Sequence, residues 1–183
     1  MRWLQKKTNS VRWWLVNGLY YRLFILNGIS QFLYREARYL DDKQWEKWLA
    51  CYHPQASFWM PSWDDDGSLV TDPQREISLI YYPDRQGLED RVFRIETERS
   101  SATIPDTRTS HNISNVEILA EEGAKLTVRF NWLTFSFRYH TTHTYYGCSE
   151  YDLDVSGNEP LITRKYVVLK NDYINQLIDV YHV

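Results

Sequence analysis

The second half of the sequence alternates between apolar and polar residues with a period of two, a pattern typical of half-buried β-strands. One long strand is expected to carry four apolar residues on a single face, namely Leu126, Val128, Phe130 and Trp132. Two further strands are predicted at 145–155 and 161–169, with a turn at 156–158 between them. Such strands form a sheet whose apolar face must be covered by another part of the chain.

The alternation changes phase directly after Trp132, where Leu133, Phe135 and Phe137 become the apolar residues. A shift of one residue moves a whole set of side chains to the opposite face of a strand. We therefore expect a β-bulge near Trp132–Leu133 that bends the strand. By this hypothesis Phe130 and Trp132 fill the interior of the domain together with Phe135 and Phe137.

Helical periodicity precedes the strands. One helix is predicted to bury Ile29, Phe32, Leu33, Ala37 and Leu40, with Arg35, Glu36 and Arg38 off that face. A second helix is expected to carry Trp45, Trp48, Leu49 and Tyr52, with Pro54 just beyond its end. A third is predicted around Leu88, Val92 and Ile95, whereas residues 77–82 could be strand or helix.

Helices followed by a meander of strands indicate an α+β domain, in which helices cover one face of a curved antiparallel sheet. A long bent sheet folded over helices makes a cone-shaped half barrel. The length of 183 residues fits one such domain. Residues 29–183 are predicted to form it.

Residues 1–28 stand apart as a basic, aromatic extension that need not belong to the domain. The first 30 residues carry five bases, and no acid occurs before Glu36. Polar residues interrupt every apolar run before the ~18–20 residues that a membrane span requires. An interfacial helix that tethers the protein to a membrane is the alternative interpretation.

Charge and composition exclude several classes of function. Beyond residue 30 the chain has 24 acids and 16 bases, a poor balance for binding a phosphate backbone, so we expect no nucleic-acid partner. The seven glycines are scattered and form no phosphate-binding loop. Two distant cysteines exclude a disulfide framework and favour a cytoplasmic location.

Metal-binding patterns are incomplete. Cys51-Tyr52-His53 is half of a Rieske-type motif, but Cys148 is not followed by the histidine that a second half would need. If they lie in one strand, His140 and His143 point to opposite faces because their spacing is odd. The acidic run 64–66 reads as a solvated turn before Gly67. We predict no metal, cofactor or catalytic residue in this chain.

One alternative enzymatic function remains open at this point. Cone-shaped α+β folds host isomerases and dehydratases that use an internal acid–base pair. His111, which begins a strand after a polar loop, is the best candidate base, with a nearby carboxylate as its partner.

Several segments resemble the small (β) subunit of aromatic-ring-hydroxylating dioxygenases, and specifically of the benzoate and toluate 1,2-dioxygenase group. They are FLYREARYLDD (32–42), FWMPSWDD (58–65), DPQREISLIYY (72–82), GLEDRVFRI (87–95), TERSSAT (97–103), RTSHNI (108–113), KNDYI (170–174) and DVYH (179–182). The resemblance covers about residues 30–183 and leaves the basic extension unmatched.

The resemblance implies a fold like that of nuclear transport factor 2 and a mainly structural role in an α3β3 hexamer. The larger α subunit of such enzymes carries a Rieske iron–sulfur cluster and a mononuclear Fe(II), and a separate reductase supplies electrons from NADH. The complex converts an aromatic carboxylate and O2 into a cis-dihydrodiol.

Arginine together with tryptophan and tyrosine is the composition of protein–protein hot spots. The residues expected to contact partner subunits are Trp63, Arg75, Tyr81, Tyr82, Glu89, Asp90, Arg91, Arg94, Arg99 and Arg108.

Overall fold

A computed structural model describes residues 2–97, 107–174 and 177–183, with side chains described from residue 20 onward. Its elements are α1 (Arg2–Asp41), α2 (Trp45–Leu49), β1 (Tyr52–Pro61), β2 (Ser78–Tyr82), α3 (Arg85–Glu96), β3 (Arg108–Glu122), β4 (Lys125–Arg138), β5 (Thr141–Asp154), β6 (Leu161–Leu169) and a 3-10 turn, η1 (Val180–His182). The predicted loop at 100–105 lies outside the described residues.

The six strands form one mixed sheet in the order β2-β1-β6-β5-β4-β3. The β1–β6 pair is parallel and the other four pairs are antiparallel. The helices lie over one face of the sheet, here called the inner face, and the hydrophobic core occupies the space between them. The predicted α+β class is confirmed.

Helix α1 confirms the predicted buried stripe from Ile29 to Leu40. It also runs without a break from Arg2, so the helix is much longer than the predicted stripe. The prediction that Glu36 lies off the buried face was wrong, because its exposed fraction is only 3%.

The second helix was predicted to be too long. It ends at Leu49, and Tyr52 begins β1, which contains Pro54 as well. Tyr52 is nevertheless buried as expected, and its ring makes an edge contact with Trp48 at 5.1 Å between centroids. Proline is tolerated here because the 52–57 part of β1 pairs irregularly with β6.

The bulge predicted at Trp132–Leu133 is absent, and this prediction was wrong. Strand β4 pairs with β5 in unbroken register, and the irregularities lie in β3, between Ser114 and Glu117 and between Ile118 and Ala120. Because β4 keeps its phase, Thr134 and Ser136 point inward while Phe135 and Phe137 point outward. The aromatic pair therefore does not fill the interior.

Candidate functional site

The interior of the cone is filled by the chain itself. The carboxyl-terminal residues Val180, Tyr181, His182 and Val183 are all buried between the helices and the inner face of the sheet. The ring of His182 contacts that of Tyr145 on β5, with 4.8 Å between centroids. This tail occupies the part of the interior that the sequence analysis assigned to Phe135 and Phe137.

A buried salt bridge ties the tail to α3. Arg91 Nε donates a 2.8 Å hydrogen bond to Asp179 Oδ1, and a second guanidinium nitrogen contacts Oδ2. The two side chains are only 13% and 4% exposed. Asp179 also accepts a hydrogen bond from the backbone N–H of Val180, so one carboxylate both caps η1 and anchors it.

Loss of this anchor should release the tail. Arg91→Lys keeps the charge but cannot make the bidentate contact with the carboxylate. We therefore expect hydrogen exchange of residues 177–183 to accelerate about tenfold, which corresponds to a free energy of local opening lower by ~1.4 kcal/mol. Exchange in β4 and β5 should remain unchanged. Equal acceleration throughout the sheet would show that the salt bridge supports global stability instead.

A second buried charge pair lies on the inner face. Lys165 Nζ is 3.2 Å from Glu36 Oε1, and the two residues are 1% and 3% exposed. The same carboxylate oxygen accepts hydrogen bonds from Trp48 Nε1 at 2.8 Å and from Tyr52 OH at 2.9 Å. Burial lowers the pKa of Lys165 although the negative charge of Glu36 opposes that shift. One carboxylate oxygen of α1 is thus joined to α2, β1 and β6.

The candidate base His111 does have a carboxylate beside it. Its Nδ1 lies 2.6 Å from Asp41 Oδ1, and Thr109 Oγ1 donates to the same oxygen at 2.8 Å. Burial favours a higher pKa of Asp41, but the hydrogen bond and the charge of His111 outweigh it and lower that pKa. The predicted acid–base pair is thus present geometrically, with the His111 side chain only 5% exposed.

His182 is held neutral. Burial lowers its pKa to about 3, helped by the nearby charges of His111, His143 and Arg138. An unfolded histidine titrates near 6.5, so the stabilising effect of the neutral ring is complete above pH ~6.5 and is lost as the pH falls toward 3.

This shift predicts a pH dependence of folding. Between pH 6.5 and 4.5 the wild-type free energy of unfolding should fall by up to ~1.4 kcal/mol per pH unit because of His182. In His182→Asn the new side chain can still accept the hydrogen bond that Asp179 N–H donates to Nδ1 at 3.0 Å, but it does not titrate. The free energy of unfolding of this variant should therefore depend less steeply on pH, by the uptake of about one proton on unfolding. Urea unfolding at several pH values measures both slopes, and equal slopes would contradict the assignment.

The outer face of the sheet carries an aromatic surface that no part of the described chain covers. On β4 and β5 it consists of Leu133, Phe135, Phe137 and Tyr146, of which Phe135, Phe137 and Tyr146 are 43%, 39% and 47% exposed. Tyr166, Trp59 and Tyr81 lie on the same side of the sheet, on β6, β1 and β2, and Tyr166 is paired there with Glu150 of β5. We call these seven residues the outer aromatic face.

Clusters of exposed aromatics on a sheet usually mark a protein interface. The usual arrangement is reversed at the end of β4, where the hydroxyl groups of Thr134 and Ser136 lie inside and two phenylalanines lie outside. A chain that exposes Phe and buries Thr at alternating positions loses stability as a monomer. The outer aromatic face is therefore the strongest candidate for a functional surface.

The residues predicted as interface fall on two sides of the molecule. Tyr81 and Arg108 lie on the outer face, Arg108 opposite Phe137. Trp63 lies beside the sheet, where its Nε1 donates to the backbone oxygen of Leu169 at 2.7 Å. Arg75 lies in an exposed turn beside Asp72. The remaining described members are on or near α3, namely Tyr82, Glu89, Asp90, Arg91 and Arg94.

Several members of the α3 group already have partners within the chain. Glu89 accepts a hydrogen bond from Arg85 Nε at 2.8 Å, and Asp90 accepts one from Gln86 at 2.9 Å. Arg94 donates to the backbone oxygen of Asp90 at 3.2 Å. Arg99 lies outside the described residues.

Sequence reasoning missed Phe135, Phe137 and Tyr146 as surface residues, although the phase change after Trp132 was the signal that could have identified the first two.

The incomplete metal motif has no ligand geometry. Burial raises the pKa of the Cys51 thiol to about 12, so it stays protonated, and Sγ lies 3.4 Å from the backbone oxygen of Lys47. His53 Nδ1 accepts a hydrogen bond from Gln55 N–H. His140 lies in the β4–β5 turn, not in a strand as supposed. Within the described residues no three His, Cys, Asp or Glu side chains come together as a metal site.

Comparison with known proteins gives a consistent result. The family described as "Ring hydroxylating beta subunit" matches residues 35–176. The β subunit of benzoate 1,2-dioxygenase from Acinetobacter baylyi is 68% identical over 86% of this chain and 94% of its own length. The β subunit of toluate 1,2-dioxygenase from Pseudomonas putida is 63% identical over 85% of this chain and 96% of its own length.

Solved structures show the same fold. The β subunit of benzoate 1,2-dioxygenase from Burkholderia mallei superposes with a TM-score of 0.73 at 62% identity, covering 85% of this chain and 95% of the other. Chains only 14–17% identical still superpose with TM-scores of 0.63–0.69. The predicted cone of the nuclear-transport-factor-2-like type is confirmed. No helix in the described part of the chain is long and apolar enough to cross a membrane.

Proposed function

The chain belongs to the ring-hydroxylating β-subunit family, and we propose that it is the small subunit of a benzoate-type 1,2-dioxygenase. The observation that carries this proposal is the 68% identity to a benzoate 1,2-dioxygenase β subunit across nearly the whole of that protein. The reaction is the cis-dihydroxylation of an aromatic carboxylate by O2, with electrons that a reductase takes from NADH.

The role of this chain is to assemble and stabilise the catalytic α subunits without taking part in the chemistry. The α subunit holds the Rieske cluster and the mononuclear iron of such an enzyme. The filled interior supports a non-catalytic role, because the tail occupies the inside of the cone and the His111 side chain is only 5% exposed. The alternative of a free-standing isomerase is not favoured, given the identity to dioxygenase subunits.

Partner subunits bind on two sides of the molecule in this proposal. The outer aromatic face, with Trp63 and Arg108 beside it, offers apolar anchors and an arginine, the composition of interface hot spots. The exposed side of α3, including Arg94, offers charges for a second contact. A subunit in an α3β3 hexamer meets more than one neighbour, which is consistent with two separate surfaces.

Residues 29–183 form the β-subunit domain in this proposal, and residues 1–28 are a basic aromatic extension of it. The relatives support that division, since their matches cover 85–86% of this chain and the family match begins at residue 35. The complex acts in the cytoplasm, where the two free cysteines remain reduced.

Co-expression tests the proposed function. The α subunit of a benzoate 1,2-dioxygenase should form a stable hexamer and oxidise benzoate when it is produced together with this chain. Without the chain it should aggregate or remain inactive. Equal assembly and equal activity in both cultures would overturn the proposal.

A further inference from the structure

Several buried polar atoms on the inner side of the sheet have no hydrogen-bond partner among the described residues. Four of them are His111 Nε2, Thr134 Oγ1, Ser136 Oγ and His182 Nε2. Thr134 and Ser136 are 0% exposed and His182 is 2% exposed. Buried polar groups in folded proteins almost always have partners, so unpaired ones call for an explanation.

The four atoms belong to one region of the fold. His111 is paired with Thr134 across β3 and β4, and Thr134 with Tyr145 across β4 and β5. Ser136 is the next inward-facing residue along β4. His182 stacks against Tyr145 from the tail and lies near enough to His111 for its charge to lower the pKa of His182. The sheet and the tail therefore face each other through polar groups.

Hydrogen bonding fixes what each ring offers to this region. Nδ1 of His111 lies 2.6 Å from the Asp41 carboxylate, so Nε2 is the ring nitrogen left without a partner. His182 Nδ1 accepts a hydrogen bond from the backbone N–H of Asp179, so its proton is on Nε2. Two ring nitrogens and two hydroxyl groups, which can both donate and accept, lie in this region.

We propose that this region is an internal hydration site, in which one or two buried water molecules join the tail to the sheet. Water both donates and accepts, so it can serve the donor at His182 Nε2, the two hydroxyl groups and the Nε2 atom of His111 together. A cation does not fit, because the proton on His182 Nε2 blocks that nitrogen as a ligand.

The site explains why Thr134 and Ser136 occupy inward positions that valine or leucine would fill in an apolar core. Their hydroxyl groups complete the coordination of the water, and the water in turn holds His182. The tail is thus kept in the cone by a salt bridge at Asp179 and by hydration at His182. This inference concerns the interior alone and is independent of the proposed function.

Oxygen-17 magnetic relaxation dispersion of the full chain tests the proposal by counting long-lived internal waters. Thr134→Val/Ser136→Ala should lose about one or two such waters relative to wild type. Thr127→Val is the matched control on the outer face of the same strand, where the hydroxyl bonds Asp152 at 3.0 Å, and it should lose none. An unchanged count in the double variant would overturn the proposal.

A high-resolution crystal structure of the wild-type chain decides the question even if the double variant does not fold. A water within about 2.7–3.2 Å of His111 Nε2 and of His182 Nε2 is the expected result. A direct hydrogen bond between the two rings, or an empty dry space, would refute the site.

Discussion

Glu36→Gln is expected to destabilise the isolated chain by about 3–5 kcal/mol. The substitution removes the Glu36 carboxylate from the Lys165 ammonium group, which is buried at 1% exposure. Its remaining contacts are an oxygen of Val183 at 3.2 Å and the rings of Phe58 and Tyr151, each 5.2 Å away. Urea unfolding at pH 7 measures the loss as a lower midpoint at an unchanged slope.

The double variant Glu36→Gln/Lys165→Met separates the charge from the packing. Replacing both members of a buried pair is often nearly neutral, so the double variant should recover most of the stability that Glu36→Gln loses. Arg35→Gln, at the preceding position of α1, is the matched control, because the partner Glu159 is 67% exposed. This substitution should lower the free energy of unfolding by less than ~1 kcal/mol. A Glu36→Gln variant as stable as that control would contradict this account.

Phe135→Ser/Phe137→Ser should abolish assembly with the α subunit while leaving the isolated chain folded. Both rings are about 40% exposed in the isolated chain, so removing them costs little there. In a complex each would be a buried aromatic anchor worth about 2 kcal/mol or more, so the double variant should weaken assembly about a thousandfold. Co-purification and native mass spectrometry of the co-expressed subunits measure the effect.

Two single substitutions locate the effect on the surface. Leu119→Ser, which removes an equally exposed apolar side chain at the far end of β3, should not change assembly. Phe93→Ser, at a residue 56% exposed on α3, reports on the second proposed contact. Normal assembly of the Phe135/Phe137 variant would exclude the outer aromatic face as an interface.

Much of the fold followed from periodicity alone. The stripe from Ile29 to Leu40 and the strand at 161–169 were predicted correctly because an amphipathic pattern has one stable solution against a single core. The second helix was overextended because Trp48 and Tyr52 are spaced like helix neighbours, yet Tyr52 reaches the same cluster from a strand. The spacing of residues along the sequence cannot distinguish a helix that buries both side chains from a helix followed by a strand that does the same.

The surface was harder to predict than the core. Phe135 and Phe137 were assigned to the interior because a bulge was expected after Trp132, whereas β4 keeps its register there and leaves both rings outside. Glu36 was assigned to the surface because it lies off the apolar stripe of its helix, and its partner Lys165 is 129 positions away. Neither error could be corrected without the register of β4 or the contact between α1 and β6.

Turnover of benzoate by assembled complexes tests the central claim most directly, namely that this chain supports the reaction without taking part in it. His111→Gln and Asp41→Asn remove the acid–base pair that His111 and Asp41 form, and only hexamers of wild-type mass should be compared. We predict that turnover per complex stays within about twofold of wild type. A loss of about a hundredfold or more, the size expected for a missing general base, would contradict this account.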